Sequence, residues 1–177
     1  MNLHSSDFEL FGLPCRFSQD RAGLDQRWKD LQREAHPDRF VAQGAAAQRL
    51  AMQWSVRINE AYQRLRDPLK RAAYLCELRG APVNAENNTA MPAAFLMQQM
   101  AWREALDEAT KMADLDGLTQ QVMTSRSSAL QACEALLDEQ DDAAGAVQQV
   151  RALMFIERFS ADVQERQDRL EAAERGQ

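Results

Sequence analysis

Residues 28–40 read WKDLQREAHPDRF, and this stretch decides the fold of the first half of the chain. Its apolar residues continue an upstream pattern at helical spacing, formed by Leu24, Trp28, Leu31 and Ala35. That spacing predicts an amphipathic helix with one apolar stripe. Pro37 disfavours the α conformation for the residue before it, so we expect the helix to end at His36. A loop from Pro37 to about Gly44 should follow.

Further helices are predicted on both sides of this stretch. Upstream, the sequence DFELF at 7–11 and the glycine after it predict a short helix, and Ser18 is the candidate N-cap of the next helix. Downstream, a long amphipathic helix is predicted by the apolar residues Ala47, Leu50, Trp54, Ile58, Ala61 and Leu65. Asp67 and Pro68 have the residue types of an N-cap and a first helical position, so they predict another helix, which ends near Gly80.

The stretch GAPVNAENNTA at 80–90 separates two predicted domains, at 1–79 and 91–177. It clusters proline, glycine and asparagine without periodicity, which is typical of a linker. Three amphipathic segments follow it, at about 92–113, 115–139 and 142–175. Short connections favour antiparallel neighbours, so these segments predict a three-helix bundle.

Charge is divided unequally along the chain. Residues 1–75 carry 12 basic and 9 acidic side chains, whereas residues 76–177 carry 9 basic and 18 acidic ones, within a total charge of −6. Nucleic acids and anionic membranes both require a basic footprint, so the acidic total argues against binding of the whole chain to either. The split suggests instead two modules with different partners.

Composition excludes several other classes of protein. Val, Ile and Thr are too few for a β-sheet protein, whereas good helix formers are abundant, so we expect an all-α fold. No apolar run exceeds five residues, and residues 1–4 lack the layout of a signal peptide, so a cytoplasmic protein without a membrane span is expected. The three cysteines are far apart and only two histidines are present, so we expect free thiols and no metal site. No nucleophile arrangement or phosphate-binding glycine loop is present, and neither enzyme activity nor a cofactor is expected.

The tripeptide His36-Pro37-Asp38 lies between two predicted amphipathic helices. This arrangement resembles a J domain, the module that stimulates ATP hydrolysis by a DnaK-type chaperone. Four stretches are similar to the HscB family, the J-protein co-chaperones of iron–sulfur cluster assembly: FELFGLP, WKDLQREAHPDRF, INEAYQRLRDPLKRAAYL and, beyond the linker, AFLMQQMAWREALDE. The resemblance implies an N-terminal J domain, a helical hairpin with flanking helices, followed by the C-terminal three-helix bundle.

The resemblance also implies a surface that binds the nucleotide-binding domain of a DnaK/HscA-type ATPase. The matching positions are Arg27, Lys29, Arg33, His36, Pro37, Asp38 and Arg39. Pro37 stiffens the loop, so the Asp38 carboxylate can accept hydrogen bonds from a partner arginine, while the basic residues steer the encounter. Ala35 departs from the family pattern, since J domains often carry an aromatic residue there. The alternative is an ordinary turn beside an ordinary solvated helix face.

A second surface is expected around residues 95–104, where the helix is apolar nearly all round. A methionine-rich exposed patch suits an adaptable protein contact. In the HscB family this face, with an aromatic residue of the last helix, binds the scaffold protein IscU. By resemblance the matching positions are Leu96, Met97, Met100, Arg103, Glu104 and Phe155. Ala101 departs from the family, in which an acid is common there, and the alternative is that these apolar residues pack against the J domain or the linker.

The expected function is that of a co-chaperone that stimulates a DnaK/HscA-type ATPase and delivers IscU to it. A general J-domain holdase or adaptor for unfolded clients is the first alternative. A metal- or cluster-carrying protein is the second, and the scattered cysteines disfavour it.

Overall fold

The computed structural model describes residues 5–84 and 90–175, with the side chain of Glu174 left aside, and this part of the chain is helical without strands. Its α-helices are Asp7–Phe11 (α1), Arg21–Glu34 (α2), Ala45–Arg66 (α3), Pro68–Leu78 (α4), Ala93–Glu108 (α5), Met112–Glu134 (α6) and Ala143–Arg175 (α7). A 3-10 helix, Pro37–Gln43, follows α2, and a π-helix, Ala135–Glu139, follows α6. The all-α prediction is confirmed. None of the helices in these ranges is long and apolar enough to cross a bilayer.

The chain divides into two compact units, Met1–Leu75 and Cys76–Gln177. The division falls inside α4, whereas the sequence predicted a linker at 80–90. Residues 85–89 of that linker lie outside the described residues, as do the first four and last two residues of the chain. The linker therefore stays a prediction.

Helix α2 begins and ends at different residues from those predicted. Its N-cap is Asp20 rather than Ser18, because the Asp20 carboxylate accepts hydrogen bonds from the backbone N–H groups of Ala22 and Gly23, both at 3.0 Å. The single aspartate thus satisfies two of the donors that a helix leaves open in its first turn. The helix ends at Glu34, shortly before the predicted end.

The predicted loop after α2 is a 3-10 helix, Pro37–Gln43. Pro37 occupies its first position, where a helix has no use for a backbone N–H. His36 caps it by accepting a hydrogen bond from the backbone N–H of Asp38. Gly44, at a φ of 91°, separates it from α3 in a conformation that favours glycine. The sequence therefore predicted the break in α2 correctly, but the loop prediction was wrong.

Helices α2 and α3 form an antiparallel hairpin in the first unit. The Gln32 side chain donates to the Ser55 carbonyl at 3.1 Å, and one turn earlier in α2 the Trp28 indole donates to Asn59 at 2.9 Å. Trp28 also stacks on Tyr62, with ring centroids 4.8 Å apart. The buried core of the hairpin consists of Leu24, Leu31, Ala35, Ala51, Ile58, Ala61 and Leu65. The predicted apolar stripe of α2 therefore faces α3.

Helix α1 is held by apolar and ionic contacts together. Phe8 and Phe11 are buried, as a short amphipathic helix requires. Asp7 is fully buried as well, and its carboxylate forms ion pairs with Arg57 and Arg64 of α3. The apolar contacts were predictable from the spacing, whereas the buried ion pairs were not.

Helices α5, α6 and α7 form the predicted helical bundle of the second unit. Its core contains Trp102, Leu115, Leu118, Val122, Cys133, Leu153, Ile156 and Phe159. Helix α5 ends at Glu108, earlier than predicted, because the Asp114 side chain accepts hydrogen bonds from the backbone N–H groups of Thr110 and Lys111. This arrangement starts α6 at Met112, three residues before the predicted position.

Two arginines bind backbone carbonyls within the second unit. Arg79 donates to the carbonyl of Leu137, which lies in the π-helix. Arg151 of α7 is 7% exposed and donates to the carbonyls of Val83 and Ala90 at distances from 2.8 to 3.1 Å. Burial of the Arg151 cation is tolerated because its N–H groups are hydrogen-bonded. Nothing in the sequence pattern had singled out either residue.

Candidate functional site

Asp38 presents an exposed carboxylate at the start of the 3-10 helix. Its side chain is 85% exposed, and that of His36 is 58% exposed. The backbone N–H of Asp38 donates to Nδ1 of His36 at 3.3 Å, and the Asp38 Oδ2 atom lies 3.6 Å from the same nitrogen. Pro37 fixes the backbone torsion φ between the two residues. The Asp38 carboxylate is therefore available to a guanidinium or an N–H group of another molecule.

Two basic residues lie on one exposed face of α2, the helix that precedes the 3-10 helix with Asp38. Lys29 and Arg33 are exposed and one helical turn apart, and the Arg33 guanidinium lies 3.3 Å from a carboxylate oxygen of Asp30. Arg39 of the 3-10 helix donates to the Arg33 carbonyl at 3.3 Å. That hydrogen bond connects the last turn of α2 to the segment that carries Asp38. The structure thus brings Arg33, Arg39 and Asp38 close together at the connecting end of the α2–α3 hairpin.

Arg27 does not share this face. It is half-buried, and its Nε atom donates to the Phe11 carbonyl at 3.3 Å, at the end of α1. Residues i and i+2 of an α-helix are about 200° apart around its axis, so Arg27 lies nearly opposite Lys29. Its visible role is to satisfy an open carbonyl of α1.

An apolar cleft of about 270 Å³ lies beside the 3-10 helix. Its lining comprises Glu34, Ala35, Phe40, Gln43, Ala47, Leu50, Ala51 and Trp54. Leu50 was predicted to face the core but is 49% exposed, because it borders this cleft rather than a packed helix. The small side chain of Ala35 is buried at the edge of this cleft.

Exposed apolar side chains form a patch on the first turns of α5. Leu96 is 47% exposed, Met97 77% and Met100 74%. Leu96 and Met100 are one helical turn apart, and the exposed residues Arg103 and Glu104 follow one turn later. These five residues are called the α5 patch below. Methionine and leucine side chains this exposed contribute little to the bundle core, so they are available to another protein.

Phe155 of α7 lies next to one member of the α5 patch. The guanidinium carbon of Arg103 is 5.2 Å from the centroid of the half-buried Phe155 ring, a distance at which cation and ring attract each other. The Phe95 ring lies 5.8 Å from the Phe155 ring, almost perpendicular to it. The sequence placed Phe95 in the apolar stretch 95–104 but did not single it out as a contact residue. Its half-buried position beside Phe155 depends on how α5 meets α7, which residue spacing does not reveal.

The thiols are not arranged for metal binding in the described part of the chain. No group of three or more His, Cys, Asp or Glu residues there could hold a metal ion. Cys15 is exposed, whereas Cys76 and Cys133 are buried. Burial raises the pKa of Cys76 to about 11 and that of Cys133 to about 12. Both buried cysteines are therefore protonated at neutral pH and unsuited to act as thiolate ligands or nucleophiles.

Comparison with known sequences reveals close relatives along the whole chain. A family model described as the HSCB C-terminal oligomerisation domain matches residues 91–164. A co-chaperone protein HscB homolog of Burkholderia thailandensis is 50% identical over 174 residues, which cover 97% of this chain and 99% of the relative. The corresponding protein of Burkholderia mallei is 52% identical with the same coverage.

Two solved structures have a similar fold. The chaperone HscB from Vibrio cholerae is 34% identical, with a TM-score of 0.80 over 94% of this chain and 99% of that chain. The human co-chaperone protein HscB is 24% identical and has a TM-score of 0.82 over 93% of this chain and 83% of that chain, which supports the fold.

Proposed function

The chain belongs to the HscB family of co-chaperones, and from this premise we propose that it stimulates ATP hydrolysis by a DnaK/HscA-type chaperone and delivers the scaffold protein IscU to that chaperone. It thereby aids cluster transfer and the maturation of iron–sulfur proteins. We further infer that it acts in the cytoplasm, the reducing compartment in which free cysteines persist.

The exposed Asp38 carboxylate is the single observation that carries the chaperone-binding half of this proposal. Its 85% exposure leaves both oxygens open to a guanidinium of the ATPase, and such charge-assisted hydrogen bonds are roughly twice as strong as neutral ones. Pro37 and the His36 cap restrict the backbone before the partner arrives. Less conformational entropy is then lost on binding. His36 and Pro37 act here mainly by holding Asp38 in an accessible position.

The basic face of α2 supports the same partner by electrostatics. Lys29 and Arg33 are exposed on one face of α2, and the Arg33 carbonyl is hydrogen-bonded to the segment that carries Asp38. Charges at the rim of an interface mainly raise the association rate and fix the orientation of the encounter. An acidic groove on the nucleotide-binding domain is therefore the chemistry that this face would recognise. Arg27 contributes indirectly, through its hydrogen bond to α1.

The α5 patch supports the scaffold-binding half of the proposal. Three adjacent large apolar side chains remain exposed although the bundle has its own core. Flexible methionines adapt to the shape of a partner, and Arg103 and Glu104 add polar contacts at the edge of the patch. Phe155 would extend the surface onto α7, because the Arg103 guanidinium lies against its ring.

Two binding surfaces on one chain suit a delivery function. A scaffold protein bound to the second unit is tethered to a chaperone bound to the first, so each is present near the other at a raised effective concentration. This proposal requires that the two surfaces be occupied at the same time.

A single-turnover measurement of ATP hydrolysis by the partner chaperone, with and without IscU, tests the proposal. The wild-type protein should accelerate hydrolysis, more so with IscU, whereas His36→Gln should reduce the rate nearly to that of the chaperone alone. His36→Gln should also bind IscU with unchanged affinity, which shows that the variant is folded. Unchanged stimulation by His36→Gln contradicts the proposed chaperone site.

The holdase alternative makes a different prediction for the same α5 patch. If the patch binds unfolded chains in general, the protein should suppress the aggregation of unrelated denatured proteins and IscU should not compete with them. Aggregation assays with and without excess IscU separate the two functions.

A further inference from the structure

Four aromatic rings form a closed cluster that joins α5 to α7 beside the α5 patch. Phe95 lies nearly perpendicular to Trp102 and to Phe155, at centroid distances of 5.9 and 5.8 Å. Phe159 is nearly parallel to Trp102 and to Phe155, at 5.6 and 5.8 Å. Each ring therefore contacts two others, in the edge-on and offset-stacked arrangements that aromatic pairs prefer.

The cluster has a buried side and a surface side. Trp102 and Phe159 are each 1% exposed, so they belong to the bundle core. Phe95 and Phe155 are half-buried, and the Arg103 guanidinium lies over the Phe155 ring. Phe95 also directly precedes Leu96, the first residue of the α5 patch. The two surface rings thus connect the core to the residues proposed to bind the scaffold protein.

We propose that Phe95 is a positioning residue of the scaffold-binding site, because its ring fixes the orientation of the Phe155 ring before the partner arrives. This inference rests on the proposed function and deepens it. A half-buried phenylalanine without an edge-on neighbour can rotate about its side-chain bonds, and ordering it on binding costs free energy. With Phe95 in place, the Phe155 ring is already confined on the α7 side of the site, and Arg103 is confined with it.

Replacement of Phe95 by leucine separates this role from simple packing. Leucine retains most of the apolar volume at position 95 but offers no ring edge to Phe155. The bundle should therefore stay folded while the Phe155 ring loses its fixed orientation. Phe95→Tyr retains the ring edge and should behave like the wild type, since its added hydroxyl can reach solvent at a half-buried position.

A double-mutant cycle in titration calorimetry with purified IscU is the test. Phe155→Leu should weaken binding about tenfold, and Phe95→Leu about fivefold, a loss within the range for releasing one immobilised side chain. In the Phe155→Leu background, Phe95→Leu should cause no further loss, because its effect passes through the Phe155 ring. Leu106→Ala, which shortens another half-buried side chain of α5, is the matched control and should leave the affinity unchanged.

The possible results are distinguishable. Losses that multiply in the double variant, or wild-type affinity for Phe95→Leu, overturn the inference and leave the proposed function intact. Wild-type affinity for Phe155→Leu overturns the inference together with the assignment of Phe155 to the site. Absence of IscU binding by the wild-type protein overturns the proposed function itself. Ring signals of Phe155 in the NMR spectrum of the free protein give a second readout, and they should change with Phe95→Leu but not with Leu106→Ala.

Discussion

The carboxylate of Asp7, a fully buried residue of α1, lies 2.7 Å from the guanidinium of Arg57 on α3. A second guanidinium, that of Arg64, is 3.1 Å away and also lies over the Tyr74 ring. The hydroxyl oxygen of Tyr74 in turn accepts a hydrogen bond from the Asp7 backbone N–H. Asp7 therefore contacts α3 through its buried carboxylate and α4 through its backbone N–H, both within the first unit.

Asp7→Asn should destabilise the protein strongly. The substitution removes the charge that compensates Arg57, whose side chain is only 20% exposed, and breaking such a pair costs about 3 kcal/mol. Urea unfolding followed by circular dichroism measures this loss. The matched control is Asp30→Asn, which removes an exposed ion pair with Arg33 and should cost less than about 0.5 kcal/mol. Equal effects of the two substitutions contradict the stabilising role of Asp7.

The double substitution Leu96→Ala/Met100→Ala should weaken IscU binding by about tenfold or more, because truncating central apolar contacts of an interface commonly costs over 1 kcal/mol. Stimulation of the chaperone ATPase without IscU should stay at the wild-type level. Met123→Ala is the control, since Met123 is 60% exposed on a different helix of the bundle. Titration calorimetry that shows unchanged affinity for the double variant argues against the α5 patch.

Neutralising the basic face with Lys29→Gln/Arg33→Gln should slow association with the chaperone by about threefold at low ionic strength and reduce its salt dependence. Stopped-flow measurements over a series of salt concentrations detect both changes. Arg49→Gln, on α3, removes an exposed charge elsewhere and should have little effect.

Arg27→Gln should instead lower the free energy of unfolding, because it loses the hydrogen bond to α1. A larger kinetic effect for Arg27→Gln than for the double variant contradicts this division of roles.

Stability should fall as the pH rises from about 9 to about 12. Burial raises the pKa of Cys76 to about 11 and that of Cys133 to about 12, whereas the unfolded chain releases these protons near pH 8.5. Within that window the folded state binds more protons, so the stability that is fully present below the unfolded pKa is lost with rising pH. Urea unfolding at several pH values measures the slope. Cys133→Ala should flatten it, because this substitution removes one of the two buried thiols.

Ala35→Phe should stabilise the first unit. A phenyl group at this buried position fills the apolar cleft beside the 3-10 helix, and cavity filling commonly adds about 1 kcal/mol. Thermal unfolding should show a rise of a few degrees in Tm. Ala46→Phe adds the same ring at an exposed position of α3 and should not raise Tm. A lower Tm for Ala35→Phe indicates that the cleft cannot accept the ring without strain.

Helix starts and ends that are determined by residues close in the sequence could be predicted from the sequence. Asp67 and Pro68 predicted the start of α4, and the Asp67 carboxylate does accept hydrogen bonds from two N–H groups of its first turn. The prediction of Ser18 as the N-cap of α2 was wrong, because the Asp20 carboxylate, two residues later, accepts the hydrogen bonds of the first turn. Residue type alone does not choose between a serine and an aspartate as N-cap. Pro37 predicted where α2 stops but carries no signal for the 3-10 helix that follows.

Features that depend on distant residues were missed. Asp7 is buried because Arg57 and Arg64 meet it from α3, about 50 residues along the chain, and no periodic pattern relates them. Phe95 received no role of its own, because helical spacing describes one helix at a time. Its contact with Phe155 arises from the packing of α5 against α7. The exposed α5 patch was anticipated because an excess of apolar residues around one helix is visible in its own sequence.

Arg151 joins α7 to the chain at two positions before α5. Its guanidinium donates hydrogen bonds to the carbonyls of Val83 and Ala90, so both positions are held by one side chain of α7. For a loop whose two ends are held, each doubling of its length costs only about 0.6 kcal/mol. A short peptide tag inserted between these two positions should therefore cost the protein little stability and leave the start of α5 in place.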